Sequence, residues 1–137
     1  MAQLTRHRVG FSYSVQSQRY VKFGTEDKSG GFKCIVPESI KNNEAASRLF
    51  ELAMNDLQSM YDNLRYLGIP AEDARMVLPQ AATCNLVMTA NLRALLDFYG
   101  KRKKGRGAQW EIADLAEKIR EEVIAVEPWT DKFFKEA

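Results

Sequence analysis

The sequence predicts an α+β domain, several helices packed on a small antiparallel sheet. Residues 9–16 alternate, with Val9, Phe11, Tyr13 and Val15 on one side and Gly10, Ser12, Ser14 and Gln16 on the other, which is the period of a half-buried strand. That strand runs to about Phe23, and a glycine-rich polar stretch, GTEDKSGG, separates it from a second extended segment, FKCIVP, so the two read as a β pair. Beyond Pro37 the apolar residues recur at three- and four-residue steps instead, which is helical.

The helices follow in order. In SIKNNEAASRLFELAMNDLQSMYDNLRYLG, the residues Ala46, Leu49, Phe50, Ala53, Leu57, Met60, Tyr61 and Leu64 make the apolar face, and Gly68 stands where the helix stops. Pro70, with Glu72 and Asp73 in its first turn, opens a short helical piece that ends before Pro79. A further helix carries Leu86, Leu92, Leu95, Leu96 and Phe98, and KRKKGRG then reads as a basic loop. In the last helix, AQWEIADLAEKIREEVIAV, the residues Trp110, Ile112, Leu115, Ile119, Val123 and Ile124 are helical in spacing, before a Pro-Trp tail, with Trp110 and Trp129 as core or interface residues. No internal repeat or low-complexity linker interrupts this order, and residues 1–137 read as a single domain.

Composition bounds the class. A chain of 137 residues with 45% hydrophobic content is enough for one domain that buries about two-thirds of its unfolded surface. A net charge of +2 is too small for a nucleic-acid coat, no apolar run approaches the ~20 residues of a membrane span, and no secretory h-region follows Met1. Cys34 and Cys84 lie far apart and His7 is the only histidine, so no metal-ligand spacing occurs. The expectation is a reduced, cytoplasmic protein with no structural metal and no membrane or nucleic-acid partner.

The first twenty residues carry the chemistry. Arg6, His7 and Arg8 cannot all enter an apolar core, because an ionised group buried without a partner costs several kcal/mol, roughly, so an anion compensates them. With Ser17 and Arg19 just beyond the strand, an anion bearing a sugar or ring finds guanidinium forks and hydroxyl donors together. Blander readings stand beside these. Arg6-His7-Arg8 alone fits a solvated basic strand end, Ser17 a strand-end hydroxyl, and KRKKGR a solvated loop, since no aromatics interleave with it to stack bases. Arg93 and Asp97, four apart, fit a surface pair, whereas Asn91 and Arg93 lie about 200° apart around a helix and do not share a face.

In the order RHR, a serine-rich spacer, SQRY, ARMVLP, TANLR, a basic loop and AQWEI, the chain resembles the flavin-dependent thymidylate synthases over nearly its whole length. The resemblance implies that family's fold, a homotetramer, and reductive methylation of dUMP to dTMP, with methylenetetrahydrofolate giving the carbon, NADPH the hydride and FAD carrying it. It places Gln3, Arg6, Ser17, Gln18 and Arg19 on dUMP, with Arg19 suited to the phosphate and Gln3 to the pyrimidine edge. Arg75 and Arg102 are two further arginines that reach the nucleotide, the first from a neighbouring subunit; Arg102 has a catalytic role, stabilising the uracil in its deprotonated, more nucleophilic form. Arg6, His7, Arg8, Asn91 and Arg93 match flavin-contacting positions, with Asp97 where an amide is often found. No cysteine attacks the pyrimidine in that family, so Cys34 and Cys84 need no catalytic role.

Three departures accompany the resemblance. Residues 9–16 put one residue more between Arg8 and Ser17 than the family's usual spacing, which a bulge in the strand would absorb. Val15 stands where many members have a glutamate. The family's segment upstream of RHR, bearing a histidine and a serine that touch flavin and folate, has no match here. The resulting expectations are a catalytic chain complemented by an N-terminal polypeptide or a nucleotide- or flavin-binding remnant; the alternative from another class is a small basic nucleic-acid-binding module.

Overall fold

The structure, a computed structural model, describes residues 2–137. Its elements are β1 (Phe11–Val15), α1 (Glu38–Lys41), α2 (Glu44–Tyr66), α3 (Ala71–Ala74) running into a 3-10 turn at Arg75–Val77, β2 (Leu86–Ala90), α4 (Leu92–Arg102), α5 (Trp110–Val126), a 3-10 turn at Pro128–Thr130, and α6 (Asp131–Glu136). The residues group into two compact units, one comprising the chain up to Ser14 with Val87–Ala137, the other Val15–Leu86. The α+β class holds: helices accompany one two-stranded sheet.

The strand pairing differs from expectation. β1 ends at Val15 and pairs with β2, whereas FKCIVP contributes only an isolated antiparallel bridge from Cys34 to Ala82. The reason lies in α2. Its Gln58 donates to Phe23 O (2.8 Å) and accepts from Phe32 N (2.9 Å), Tyr61 Oη accepts from Phe23 N (3.2 Å), and the Asp62 carboxylate accepts from Thr25 N (3.1 Å). Backbone groups between Phe23 and Phe32 are thus satisfied by helix side chains, so no partner strand is needed there. Leu86, expected in a helix, instead opens β2, where Leu86, Met88 and Ala90 are half-buried and alternate with exposed Val87 and Thr89.

The β1–β2 ladder contains no bulge. Asn91 N donates to Gly10 O (3.1 Å) and Gln16 N to Asn85 O (2.8 Å), so both strands advance six residue steps between these two bonds. A turn precedes the ladder, in which Phe11 N donates to Arg8 O. Gly10 sits there at φ +75°, and an added Cβ would lie 2.5 Å from Asn91 Nδ2, so both backbone sign and space demand glycine.

α2 begins five residues later than the helical pattern, because α1 ends at Lys41 and Asn43 caps the new helix, its side chain accepting from Ala46 N (3.0 Å). It ends as expected at Gly68 (φ +85°), with Gly68 N bonded to Arg65 O and Ile69 N to Leu64 O, each 3.0 Å. Its apolar face is covered only in part. Tyr61 is buried with Phe23 and Ala74, flanked by Val21, Phe32, Leu64, Val77 and Leu78, whereas Leu49, Leu52, Ala53 and Met60 are exposed. In the other unit Leu4, Phe98, Ile112, Ala113, Ala116, Thr130 and Phe134 are buried, and Tyr99 meets Phe134 edge-on (5.3 Å). Trp110 and Trp129, expected as core or interface residues, are exposed among the described residues. No helix among the described residues is long and apolar enough to cross a membrane.

Candidate functional site

In the unit that holds both chain ends, the last residue of α4 reaches back to the N-terminal turn. Arg102 Nε donates to His7 Nε2 (3.0 Å), and its terminal nitrogens make longer contacts to Gln3 Oε1 (3.4 Å) and Gln3 O (3.3 Å). Asn91 positions α4 by capping it, accepting from Ala94 N (2.8 Å). His7 is clamped from the other side: its ring meets Phe98 edge-on at 4.9 Å and Phe11 at 6.0 Å, and Tyr13 Oη lies 2.7 Å from its carbonyl. Gln3, His7 and Arg102 therefore form one cluster, while Arg6, Arg8 and Arg93 are exposed nearby in sequence and make no ion pair among the described residues. Asp97, considered as a partner for Arg93, pairs instead with Lys101 (2.8 Å).

Accepting an N–H at Nε2 fixes His7 as the neutral Nδ1–H tautomer. Burial pushes its pKa below the ordinary 6.5, Arg102 and then Lys101 push the same way, and Asp97 opposes them. The unfolded chain therefore takes up this proton first: His7 leaves stability untouched well above pH 6.5, and stability is lost as pH falls below it until the folded imidazole also protonates. As the only histidine, it gives a single imidazole signal in an NMR titration. Arg102→Ala is expected to move that midpoint up toward 6.5 and to make the acid-side loss of melting temperature shallower; an unmoved midpoint would mean the Arg102–His7 contact does not exist in solution.

The second cluster belongs to the other unit. Ser17 Oγ accepts from Arg19 N (3.1 Å) and Ser17 O from Val21 N (3.0 Å), which fixes the turn that follows the ladder. The Arg19 guanidinium pairs with the Glu72 carboxylate and lies 5.6 Å from the centre of the Tyr20 ring. Arg75 Nε donates to the main-chain oxygen of the same Glu72 (2.9 Å). Arg19 and Arg75 are thus both held by Glu72, with Ser17 bonded to the Arg19 amide and Gln18 half-buried in the turn.

Phe98, Phe11, Tyr13 and Glu72 belong to these clusters, although the sequence marks them only as strand, helix or first-turn residues and not as part of a site. Glu72 stands three residues before Arg75, but its use depends on a chain reversal that no local pattern encodes. The basic loop is also dispersed: Arg102 turns to His7, Lys101 pairs with Asp97, Lys104 with Asp114 (2.9 Å), and Lys103 donates to Ala137 O (2.6 Å). As a test for a flavin or nucleotide, the donor set fits. Arg6, Arg8, Arg93 and Arg102 have no carboxylate partner among the described residues, and Phe11 and Phe98 back the one neutral imidazole beside them in its own cluster.

A two-stranded sheet dressed by helices, in which Arg6, Arg8, Arg93 and Arg102 have no carboxylate partner among the described residues, defines an α+β domain with unneutralised guanidinium groups. Residues 1–129 match the family described as thymidylate synthase complementing protein, and the chain belongs to that family. It is 45% identical over 126 residues to a flavin-dependent thymidylate synthase of Geobacter sulfurreducens, covering 92% of this chain and 52% of that one. A flavin-dependent thymidylate synthase of Pyrococcus abyssi is 42% identical over 121 residues, covering 88% and 48%. The chain spans about half the length of these relatives. Among solved structures, a UMP/dUMP methylase, PolB from Streptomyces cacaoi, bound with 5-Br dUMP, has a TM-score of 0.79 at 25% identity, covering 98% of this chain and 64% of that one.

Proposed function

We propose that this chain takes part in the reductive methylation of dUMP to dTMP, with methylenetetrahydrofolate and NADPH as co-substrates and FAD as cofactor, in a cytoplasmic homotetramer. The observation that carries the reading is the Arg102 cluster. A guanidinium with one nitrogen bound to a neutral imidazole and two others held only by long contacts to Gln3 can exchange Gln3 for the oxygen of an anionic pyrimidine. His7, held neutral, does not compete for that negative charge, and Gln3 adds an amide edge complementary to the ring. Arg19 offers its planar fork to the phosphate, with Ser17 and Gln18 beside it and Arg75 of a neighbouring subunit as a second cation. Arg6, His7, Arg8, Asn91, Arg93 and Asp97 would hold FAD, which when bound supplies the hydride transfer. The two relatives named above support this reading through the flavin and the thymidylate in their names, and the similar solved structure through the dUMP in its own.

Calorimetry tests the substrate. dUMP is expected to bind at a single class of site and to raise the melting temperature by mass action, about 2.7 kcal/mol of stabilisation at a hundredfold excess over Kd. Turnover is read as tritium release from labelled dUMP together with NADPH oxidation, for the chain by itself and with a polypeptide carrying the remaining half of a relative. Neither dUMP binding nor tritium release under any of these conditions would refute the reading.

A further inference from the structure

We propose that Glu72 is the anion that Arg19 holds until a phosphate monoester arrives, so that Glu72 sets the charge a ligand must bring in order to displace it. The inference rests on the nucleotide reading above. Three observations carry it. The Arg19 guanidinium is paired with the Glu72 carboxylate, and both side chains remain open to solvent, at 57% and 41% exposure, so an incoming anion has access to the exchange. The base of Arg19 is pinned, its amide bonded to Ser17 Oγ, which leaves the guanidinium head free to change partner while the turn stays in place. Glu72 also holds Arg75 through its main-chain oxygen, so one residue engages two of the four arginines that match nucleotide-reaching positions, and only the Arg19 contact is made by the Glu72 charge.

The competition follows from elementary electrostatics. A carboxylate tethered within the same fold presents a high effective concentration to Arg19, so a free monoanion of the same charge gains little by replacing it. A phosphate dianion brings a second charge and a third oxygen, and it exchanges favourably. Ligands that lack the phosphate leave the pair closed. Glu72 is in this sense a specificity-determining residue that acts through Arg19.

Glu72→Gln tests this, because it keeps the length of the side chain and the main-chain oxygen that holds Arg75 but removes the charge. Titrated by calorimetry, the variant is expected to bind dUMP and inorganic phosphate roughly two- to fivefold more tightly than the native chain, the range set by an exposed ion pair. The affinity for deoxyuridine stays unchanged. In an Arg19→Ala background the same substitution is expected to change nothing, whereas a role confined to the local fold would show in every background. Unchanged or weaker phosphate binding by Glu72→Gln, or a gain that persists without Arg19, overturns the proposal. Arg19-dependent dUMP binding with no Glu72 effect overturns it while leaving the nucleotide reading in place; absence of dUMP binding in all four proteins overturns both.

Discussion

Phe98→Ala is expected to lower the stability of the chain by about 3–5 kcal/mol, the usual cost of deleting a fully buried aromatic ring. Phe98 is fully buried in α4, and its ring lies 4.9 Å from His7 and 6.1 Å from Phe11, both edge-on. Alanine removes the transfer free energy of the ring and leaves a cavity beneath His7 that a clamped turn cannot easily fill. Urea denaturation measures the loss. Phe98→Leu, which keeps most of the volume, should cost much less. The His7 imidazole signal gives a second reading, since without the ring the side chain is better solvated and its pKa should rise toward 6.5. A loss below about 1 kcal/mol would mean that neighbouring side chains collapse into the space left by the ring.

Arg19→Ala is expected to weaken dUMP binding at least roughly tenfold. A charged hydrogen-bond pair lost from a bound phosphate costs about 1.5–3 kcal/mol, and each 1.4 kcal/mol is a factor of ten. The effect should be one of binding and not of folding: Arg19 is more than half exposed, and its partner Glu72, itself 41% exposed, is left in contact with water, so the melting temperature should hardly change. Arg19→Lys should recover only part of the affinity, because an ammonium supplies charge without the planar fork. Calorimetry on the three proteins, with melting temperatures measured in parallel, decides the matter. Normal dUMP affinity in Arg19→Ala would remove this residue from the phosphate.

Much of this protein is written in local patterns. The 2.0 period of residues 11–15, the 3.6 period of α2 and α5, the Asn and Gly signals at helix ends and the ordered motif blocks depend on residues close together in the chain, and they fixed the element types and the family. What pairs with what was decided by tertiary structure. FKCIVP has the composition of a strand, yet Gln58, Tyr61 and Asp62, some thirty residues away in sequence, satisfy much of the backbone before it, and β1 takes Leu86–Ala90 as its partner. The same holds for the site. The charge of Arg6-His7-Arg8 and of Arg19 is legible in the sequence, but that Arg102 returns to His7 in one unit and that Glu72 pairs with Arg19 in the other depends on chain reversals that accompany the burial of Phe98 and of Tyr61. Periodicity reports which face of an element is apolar; which partner covers that face is settled only when the whole chain competes for it, as exposed Leu49 and Met60 beside buried Tyr61 on a single helix show.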